Sequence, residues 1–299
     1  MLDLFCGAGG LSLGFLQEGF SVRGVDISEK AEKSFTFNVS RFTRADLLTT
    51  NITGEYDVIV GGPPCRPWSP VNVTKRGRAH RDHVLLSRYF EHVARLRPKM
   101  FLMENVPALG GDPFFREYIA RMERVGYSVE VGAVRYSDYG APTSRRRLIA
   151  FGALGLDASS FFRELGKHRR PPGTVRDAIA HLRDKPPGAE PDHEWPTLRT
   201  IGKYKGLYET GRYGWYILAW DRPAPSFGNV MKTYILHPDS RERVISVREA
   251  LHIMGFPEEY RFPSSSGRMG LTARYQMVAD AVSPIFSKVA AQVVRRLLV

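Results

Sequence analysis

The sequence predicts an α/β fold, a parallel sheet with helices on both faces, followed by a smaller irregular module. Three observations lead there. Short apolar segments alternate with helical patterns through the first half of the chain, the pattern of a parallel sheet with crossover helices. A glycine-rich turn follows directly on the first apolar segment. From about residue 155 the alternation gives way to Pro-Pro at 171–172, Lys-Pro-Pro-Gly at 185–188 and scattered aromatic residues.

The expected strands are 1–5, 21–26, 42–46, 56–61, 99–103, 127–134 and 146–152, each a short apolar run. Helices are expected between them at 11–18, 28–38, 84–96 and 113–125. A last amphipathic helix, 284–298, follows Ser283-Pro284, a helix-start signal. The expected domain boundaries are 1–160 with 273–299 for the sheet and 161–272 for the second module.

Composition narrows the function. At 299 residues and 43% hydrophobic, the chain has the means to build a sizeable core. No apolar run approaches the length of a membrane span, and the N-terminus lacks a charged-then-apolar signal pattern, so a cytoplasmic protein is expected. Two cysteines, Cys6 and Cys65, exclude a disulfide scaffold and fit a reducing compartment. The eight histidines show no HExxH, there is no paired-cysteine spacing, and His80 with His83 sits in an arginine-rich loop; no metal is expected. The net charge of +12 favours a polyanion, because each Lys or Arg set on a phosphate releases condensed counterions. Residues 66–99 concentrate that charge, including Arg66, Arg76 and Arg78, although the helical second half of the run also suits a solvated face.

In open α/β sheets ligands bind beyond the carboxyl ends of the strands. After the first strand comes DLFCGAGGLSLGF, 3–15, where Gly7 and Gly9 let the backbone turn tightly and approach a ligand. After the second comes Asp26, placed where a Rossmann-type site sets an acid on ribose hydroxyls, and after the third Asp46, an acid suited to an amino group. Each acid alone also fits a capping role. Together they favour an adenosine-containing cofactor, and the missing GxxxxGK[ST] argues against a nucleoside triphosphate. After the fourth strand comes GGPPC, and after the fifth Glu104-Asn105-Val106. Cys65 and Glu104 are 39 residues apart, the length of one crossover, so neighbouring strands bring thiol and carboxyl to one edge. The glycines permit an abrupt exit and the prolines fix the direction from which Cys65 projects. Cys6, inside the glycine turn, reads as packing.

These residues have a familiar order. DLFCGAGG, GGPPCRPWS, ENV, TSRRR at 143–147, RVISVREALHIMGFP at 243–257 and YQMVADAVSP at 275–284 resemble the motifs of the DNA cytosine-C5 methyltransferase family. The resemblance covers nearly the whole chain except about 160–222. It implies a Rossmann-like, S-adenosylmethionine-dependent methyltransferase sheet plus a small target-recognition domain with a hinge. It implies that Cys65 is the nucleophile that adds to cytosine C6, that Glu104 protonates or hydrogen-bonds N3, that Arg147 contacts O2, and that Arg145 supports the site near Cys65 or a phosphate. Asn105 is expected to order the turn. For the cofactor it implies Phe5, Gly7, Gly9, Asp26, Ile27, Asp46, Leu47, Pro64, Leu85 and Asp280. The resemblance further implies that the target cytosine flips out of duplex DNA into the pocket and that the basic stretch 66–83, with Arg66, Ser69, Arg76 and Arg78, closes over it. The base that removes the C5 proton is not singled out by the sequence.

Three positions depart from the usual motifs: Arg66 and Thr143 stand where Gln is common, and Ala279-Asp280 where Gly-Asn is. Arg66 is expected to lower the Cys65 pKa or to grip the target phosphate. Asp280 exchanges an amide donor for a negative charge. In 195–222 basic and aromatic residues interleave, which suits phosphate contacts with base-edge or stacking contacts. Arg199 and Arg212 are the guanine-reading candidates there, with Ser226 near a phosphate, while Trp195 and Trp220 read as core of the module. The expected partner is duplex DNA, met by a monomer of a restriction-modification system with a cognate endonuclease. The alternatives are a tRNA-methylating relative, whose usual Cys-Phe-Thr tripeptide is absent here, and a silent DNA-binding homologue, which tends to lose the thiol or carboxyl kept here.

Overall fold

The computed structural model describes residues 1–65, 68, 82–197, 205–210, 215–240, 242–263 and 269–298. The candidates Arg66, Ser69, Arg76, Arg78, Arg199 and Arg212 lie outside the described residues. The chain forms two compact units. The first comprises Met1–Val134, Arg146–Arg169 and Ser287–Val299, the second Arg135–Arg145 and Arg170–Phe286. Relative to the expected boundaries, 161–169 pack with the sheet, while 135–145 and 273–286 pack with the second unit.

In the first unit the strands are β1 (Leu2–Leu4), β2 (Arg23–Asp26), β3 (Arg41–Arg44), β4 (Val58–Gly61), β5 (Met100–Asn105), β6 (Tyr127–Arg135) and β7 (Arg146–Leu154). Its helices are α1 (Gly10–Gln17), α2 (Glu29–Asn38), α3 (His83–Leu96), α4 (Pro113–Arg124) and α5 (Ser159–Gly166). The sheet order is β3-β2-β1-β4-β5-β7-β6. The first five strands are parallel and β7 is antiparallel to β5, so the sheet is mostly parallel, in keeping with the expected Rossmann-like methyltransferase fold. The physical reason for the antiparallel strand is the link 136–145, which carries a single 3₁₀ turn, Tyr136–Asp138, and no helix able to return the chain for parallel pairing.

Both faces of the sheet are covered. Ile59, Phe101 and Met103 join a cluster with Tyr89, Phe90 and Phe115 from the helices, while their alternates Val58, Val60 and Leu102 are equally buried on the opposite face. Phe101 meets Phe90 edge-on at 6.1 Å and Tyr127 at 5.3 Å. Burying each such ring contributes about 1.5–3 kcal/mol. Helix α1 carries Gly14 because a Cβ there would lie 2.1 Å from the Lys288 backbone nitrogen and 2.2 Å from Ser287 Oγ. The Ser287 hydroxyl completes that contact, accepting from Gly14 N–H and donating to the Gly10 carbonyl.

The second unit holds α6 (Val175–Ile179), α7 (Lys205–Thr210), β8 (Tyr216–Ile217), β9 (Ile235–Leu236), α8 (Val247–Ile253), α9 (Leu271–Asp280) and the start of α10 (Pro284–Leu298). Strands β8 and β9 pair in parallel. These short elements are fixed by buried ion pairs and caps rather than by a long apolar stripe. Arg243 makes a bidentate pair with Glu249 at 2.9 Å, and Glu249 closes a capping box with Ser246. Arg274 reaches Asp192 at 2.7 Å, and Arg248 donates to the carbonyls of Pro191, Glu258 and Tyr260. Trp195 and Trp220 are half-buried rather than core; the Arg243 guanidinium lies 4.4 Å from the Trp195 ring centre, and Trp220 Nε1 donates to Asp239.

One expectation about apolar runs needs correcting. Leu271–Leu298 is long and apolar enough to cross a membrane, but 72% of that window is buried. The chain also breaks between α9 and α10, so its apolar character serves packing.

Candidate active site

The sheet topology places the ends of β1, β2, β3, β4 and β5 along one edge. Beyond β1, Phe5 takes φ 62° and Gly7 φ 50°, so the chain reverses within three residues of the strand. A Cβ on Gly7 would meet nothing within 4 Å. This opening faces Asp26, whose Oδ2 accepts from Gly7 N–H at 3.1 Å and whose Oδ1 accepts from Ser28 N–H at 2.9 Å. Gly9, at φ 81°, caps α1, and a Cβ there would strike Val39 Cγ2 at 2.7 Å. Burial pushes the Asp26 pKa up, against the pull of those backbone donors. Beside Asp26, Ile27 is 63% exposed, an apolar side chain with no apolar cover. Asp46 accepts from Leu48 N–H at 2.9 Å, and Leu47 is buried, its carbonyl taking the Arg88 Nε–H at 2.7 Å. Pro64 and Leu85 are half-buried.

The loop that carries Cys65 leaves the sheet beside the strand end that carries Glu104. Strands β4 and β5 are parallel neighbours with Gly61 opposite Met103, so Gly62 and Glu104 follow side by side. A Cβ on Gly62 would sit 3.2 Å from Glu104 Oε2, which shows how close the loop passes to the carboxylate. Asn105 Nδ2 donates to the Pro63 carbonyl at 3.0 Å, and its Oδ1 accepts from Val106 N–H. That side chain ties the GGPPC loop to the end of β5, giving physical content to its expected role in ordering the turn. Cys65 is half-buried, its carbonyl accepting from Trp68 N–H at 3.0 Å. Glu104 is 7% exposed, and its Oε1 meets Arg147 Nε at 2.7 Å. Arg147 comes from β7, and only the antiparallel direction of that strand brings its first residues to the end of β5.

The other candidates belong to the second unit. Arg145 is buried and donates to the Phe227 carbonyl at 3.4 Å. Thr143 is fully buried beside Ala224, and Ser226 is exposed. Asp280 is exposed, and both its oxygens accept from Gln276 Nε2 at 2.9 Å. Gln276 in turn accepts from Asn229, so this departure from the usual motif ends a polar chain that begins on a buried amide.

Two residues were missed in the sequence. Asp3 is buried in β1, takes a 2.6 Å hydrogen bond from Ser12 Oγ, and is pushed up to about 7 by burial. An acid inside an otherwise apolar strand was its signal. Trp68 is buried and donates to Asp112, anchoring the chain three residues beyond Cys65; its signal was one large apolar side chain amid a basic, proline-rich run. Cys6 is buried as expected, and burial raises its thiol well out of the reactive range.

Known proteins share this arrangement. The family model for C-5 cytosine-specific DNA methylase matches residues 1–296. The Type II methyltransferase M.AplI of Arthrospira platensis is 26% identical over all of this chain and 86% of its own length. The Type II methylase M.HgiDII of Herpetosiphon aurantiacus is 26% identical over all of this chain and 95% of its own. The fold is also that of the S. pombe Dnmt2 methyltransferase, at TM-score 0.71 and 16% identity, covering 99% of this chain and 98% of that one. With the match running from the glycine turn through the last helix, the chain belongs to the C-5 cytosine-specific DNA methylase family and is a DNA (cytosine-5-)-methyltransferase.

Proposed function

We propose that this methyltransferase modifies a cytosine flipped out of duplex DNA, through a covalent bond between Cys65 and C6 of the base. The observation that carries the reading is the tethered pair: GGPPC and Glu104 end adjacent parallel strands, joined by the Asn105 to Pro63 hydrogen bond.

The chemistry needs that pairing. Cytosine C5 is a poor nucleophile. Addition of the Cys65 thiolate at C6 places electron density on C5, and a hydrogen bond or proton from Glu104 at N3 makes C6 electrophilic enough to be attacked. Arg147 holds the carboxyl of Glu104 in one orientation and presents its remaining N–H groups to the base O2. Arg145 acts as a positioning residue through the Phe227 carbonyl.

The residues at the other strand ends suit S-adenosylmethionine. Gly7 leaves room for close approach, Asp26 offers a carboxylate for ribose hydroxyls, and exposed Ile27 offers an apolar face for adenine. Phe5, Gly9, Asp46, Leu47, Pro64 and Leu85 complete the set assigned to it. When bound, the sulfonium supplies an electrophilic methyl group. The second unit is assigned to target recognition, with Arg199, Arg212 and Ser226 as DNA contacts, and the basic stretch after Cys65 adds Arg66, Ser69, Arg76 and Arg78. The relatives' Type II designation supports a modification enzyme; a cognate endonuclease, a monomeric state and a cytoplasmic location belong to the same proposal.

The test is transfer of tritiated methyl from S-adenosylmethionine to duplex DNA and to tRNA, with Cys65→Ala in parallel. Transfer to duplex DNA that disappears in Cys65→Ala is expected. Label found only on tRNA, or surviving in the variant, overturns the reading.

A further inference from the structure

In the second unit three segments bring together groups that no sequence motif links: His181 from the 3₁₀ turn Ala180–Leu182, His252 from α8, and Glu258 from the turn beyond it. One ligand atom from each lies within 4.8 Å of the other two. His252 Nε2 is 3.4 Å from Glu258 Oε2, and His181 Nε2 is 3.9 Å from the same oxygen. The His252 side chain is only 8% exposed, and its Nε2 is buried without a hydrogen-bond partner.

The polarity of this cluster is incomplete as it stands. The other side of the His252 ring is hydrogen-bonded to the Ala178 carbonyl, an interaction that requires the proton on Nδ1 and leaves the Nε2 lone pair bare. A bare lone pair then points at a carboxylate oxygen, two acceptors with nothing between them. A backbone carbonyl on one imidazole nitrogen and an open lone pair on the other is the arrangement that orients metal-binding histidines.

We propose that His181, His252 and Glu258 bind a divalent ion of the zinc class, tying the turn after α6 to α8 and to the segment that follows it. Two imidazoles and one carboxylate form a donor set suited to borderline-soft divalent ions. Ligand atoms about 2 Å from a tetrahedral zinc sit about 3.3 Å from one another. The His252–Glu258 spacing of 3.4 Å already meets that distance, and exposed His181 closes the remainder by a side-chain rotation. Solvent fills the remaining position. The eight histidines of the sequence gave no hint of this, because its ligands come from segments about seventy residues apart.

The test is calorimetric titration of Zn²⁺ into the metal-stripped full chain, followed by Co²⁺ substitution, whose visible spectrum separates imidazole–carboxylate from thiolate coordination. One equivalent should bind, with no thiolate charge-transfer band, and Zn²⁺ should raise the unfolding midpoint. His181→Gln and Glu258→Gln, both at exposed positions, should each weaken binding by about tenfold or more, since even loss of a supporting residue costs ~10–100-fold. They should also abolish the midpoint shift. Absence of stoichiometric binding, a thiolate spectrum, or unchanged affinity in both variants overturns the site. The two exposed variants decide the matter even if His252→Gln fails to fold.

Discussion

Replacing Asp3 by Asn should flatten part of the enzyme's stability profile between about pH 4 and 7. Asp3 is wholly buried in β1, and its pKa is pushed up to about 7 from the ordinary carboxyl value of 3.8. Burial is the largest cause, the Ser12 hydrogen bond opposes it, and the Asp26 charge adds to it. Because the folded pKa is raised, the folded protein holds a proton that the unfolded chain has released throughout that window. The stability this proton provides is full below the unfolded pKa and is lost as pH rises through the folded one. Three units at about 1.4 kcal/mol each set an upper bound of about 4 kcal/mol on the loss. Asn keeps an oxygen for the Ser12 hydroxyl but brings two amide hydrogens into a buried site, a pH-independent cost of about 1–3 kcal/mol. The informative quantity is therefore the slope. Urea unfolding at pH 4.5 and 7.5, taken as example values about the window, should show wild type losing stability relative to Asp3→Asn as pH rises. Parallel profiles for the two proteins would refute the assignment of a buried, proton-holding carboxyl.

Three further outcomes follow from the geometry. Asn105→Ala releases the Pro63 carbonyl from the end of β5, so methyl transfer should fall by about 10²-fold for a displacement of the order of 1 Å, while the unfolding midpoint moves little; a variant that keeps its rate shows the tether to be idle. Gly14→Ala drives a methyl group into the backbone of Ser287 and Lys288 and should destabilise the fold by about 3 kcal/mol or more, read by thermal unfolding. Gly7→Ala meets no steric barrier in the protein but must hold φ 50°, a strain of about 1–2 kcal/mol; its S-adenosylmethionine affinity should drop by more than that strain accounts for, and equal losses in affinity and stability would remove Gly7 from the binding surface.

How far the fold was legible depended on the length and regularity of each element. The seven strands of the first unit and α1 to α4 stood out because apolar runs and helical periods alternate there. The direction of β7 did not, although the short link 136–145 carried the signal. In the second unit α6 and α8 span five and seven residues, too few for a period to register. Their capping boxes, Thr174 with Asp177 and Ser246 with Glu249, were the available markers. At the site, the adjacency of the GGPPC loop and the end of β5 was legible, because Cys65 and Glu104 are one crossover length apart. The partnership of Glu104 with Arg147 depends on the antiparallel strand, and the Ser12 to Asp3 hydrogen bond on how α1 packs back over β1, so neither was legible. The cluster of His181, His252 and Glu258 is a product of tertiary folding alone.

The central claim is that Cys65 bonds to C6 of the target cytosine, and trapping that bond tests it most directly. Duplex DNA carrying 5-fluorocytosine at the methylated position, incubated with enzyme and S-adenosylmethionine, has no C5 proton to release, so the adduct cannot break down by the normal route. A protein–DNA complex that survives denaturing electrophoresis, with the nucleotide mapped to Cys65 by peptide mass spectrometry and absent from Cys65→Ala, is the expected result. Normal methylation of ordinary DNA without any trapped complex, or a complex attached through another residue, would contradict the account.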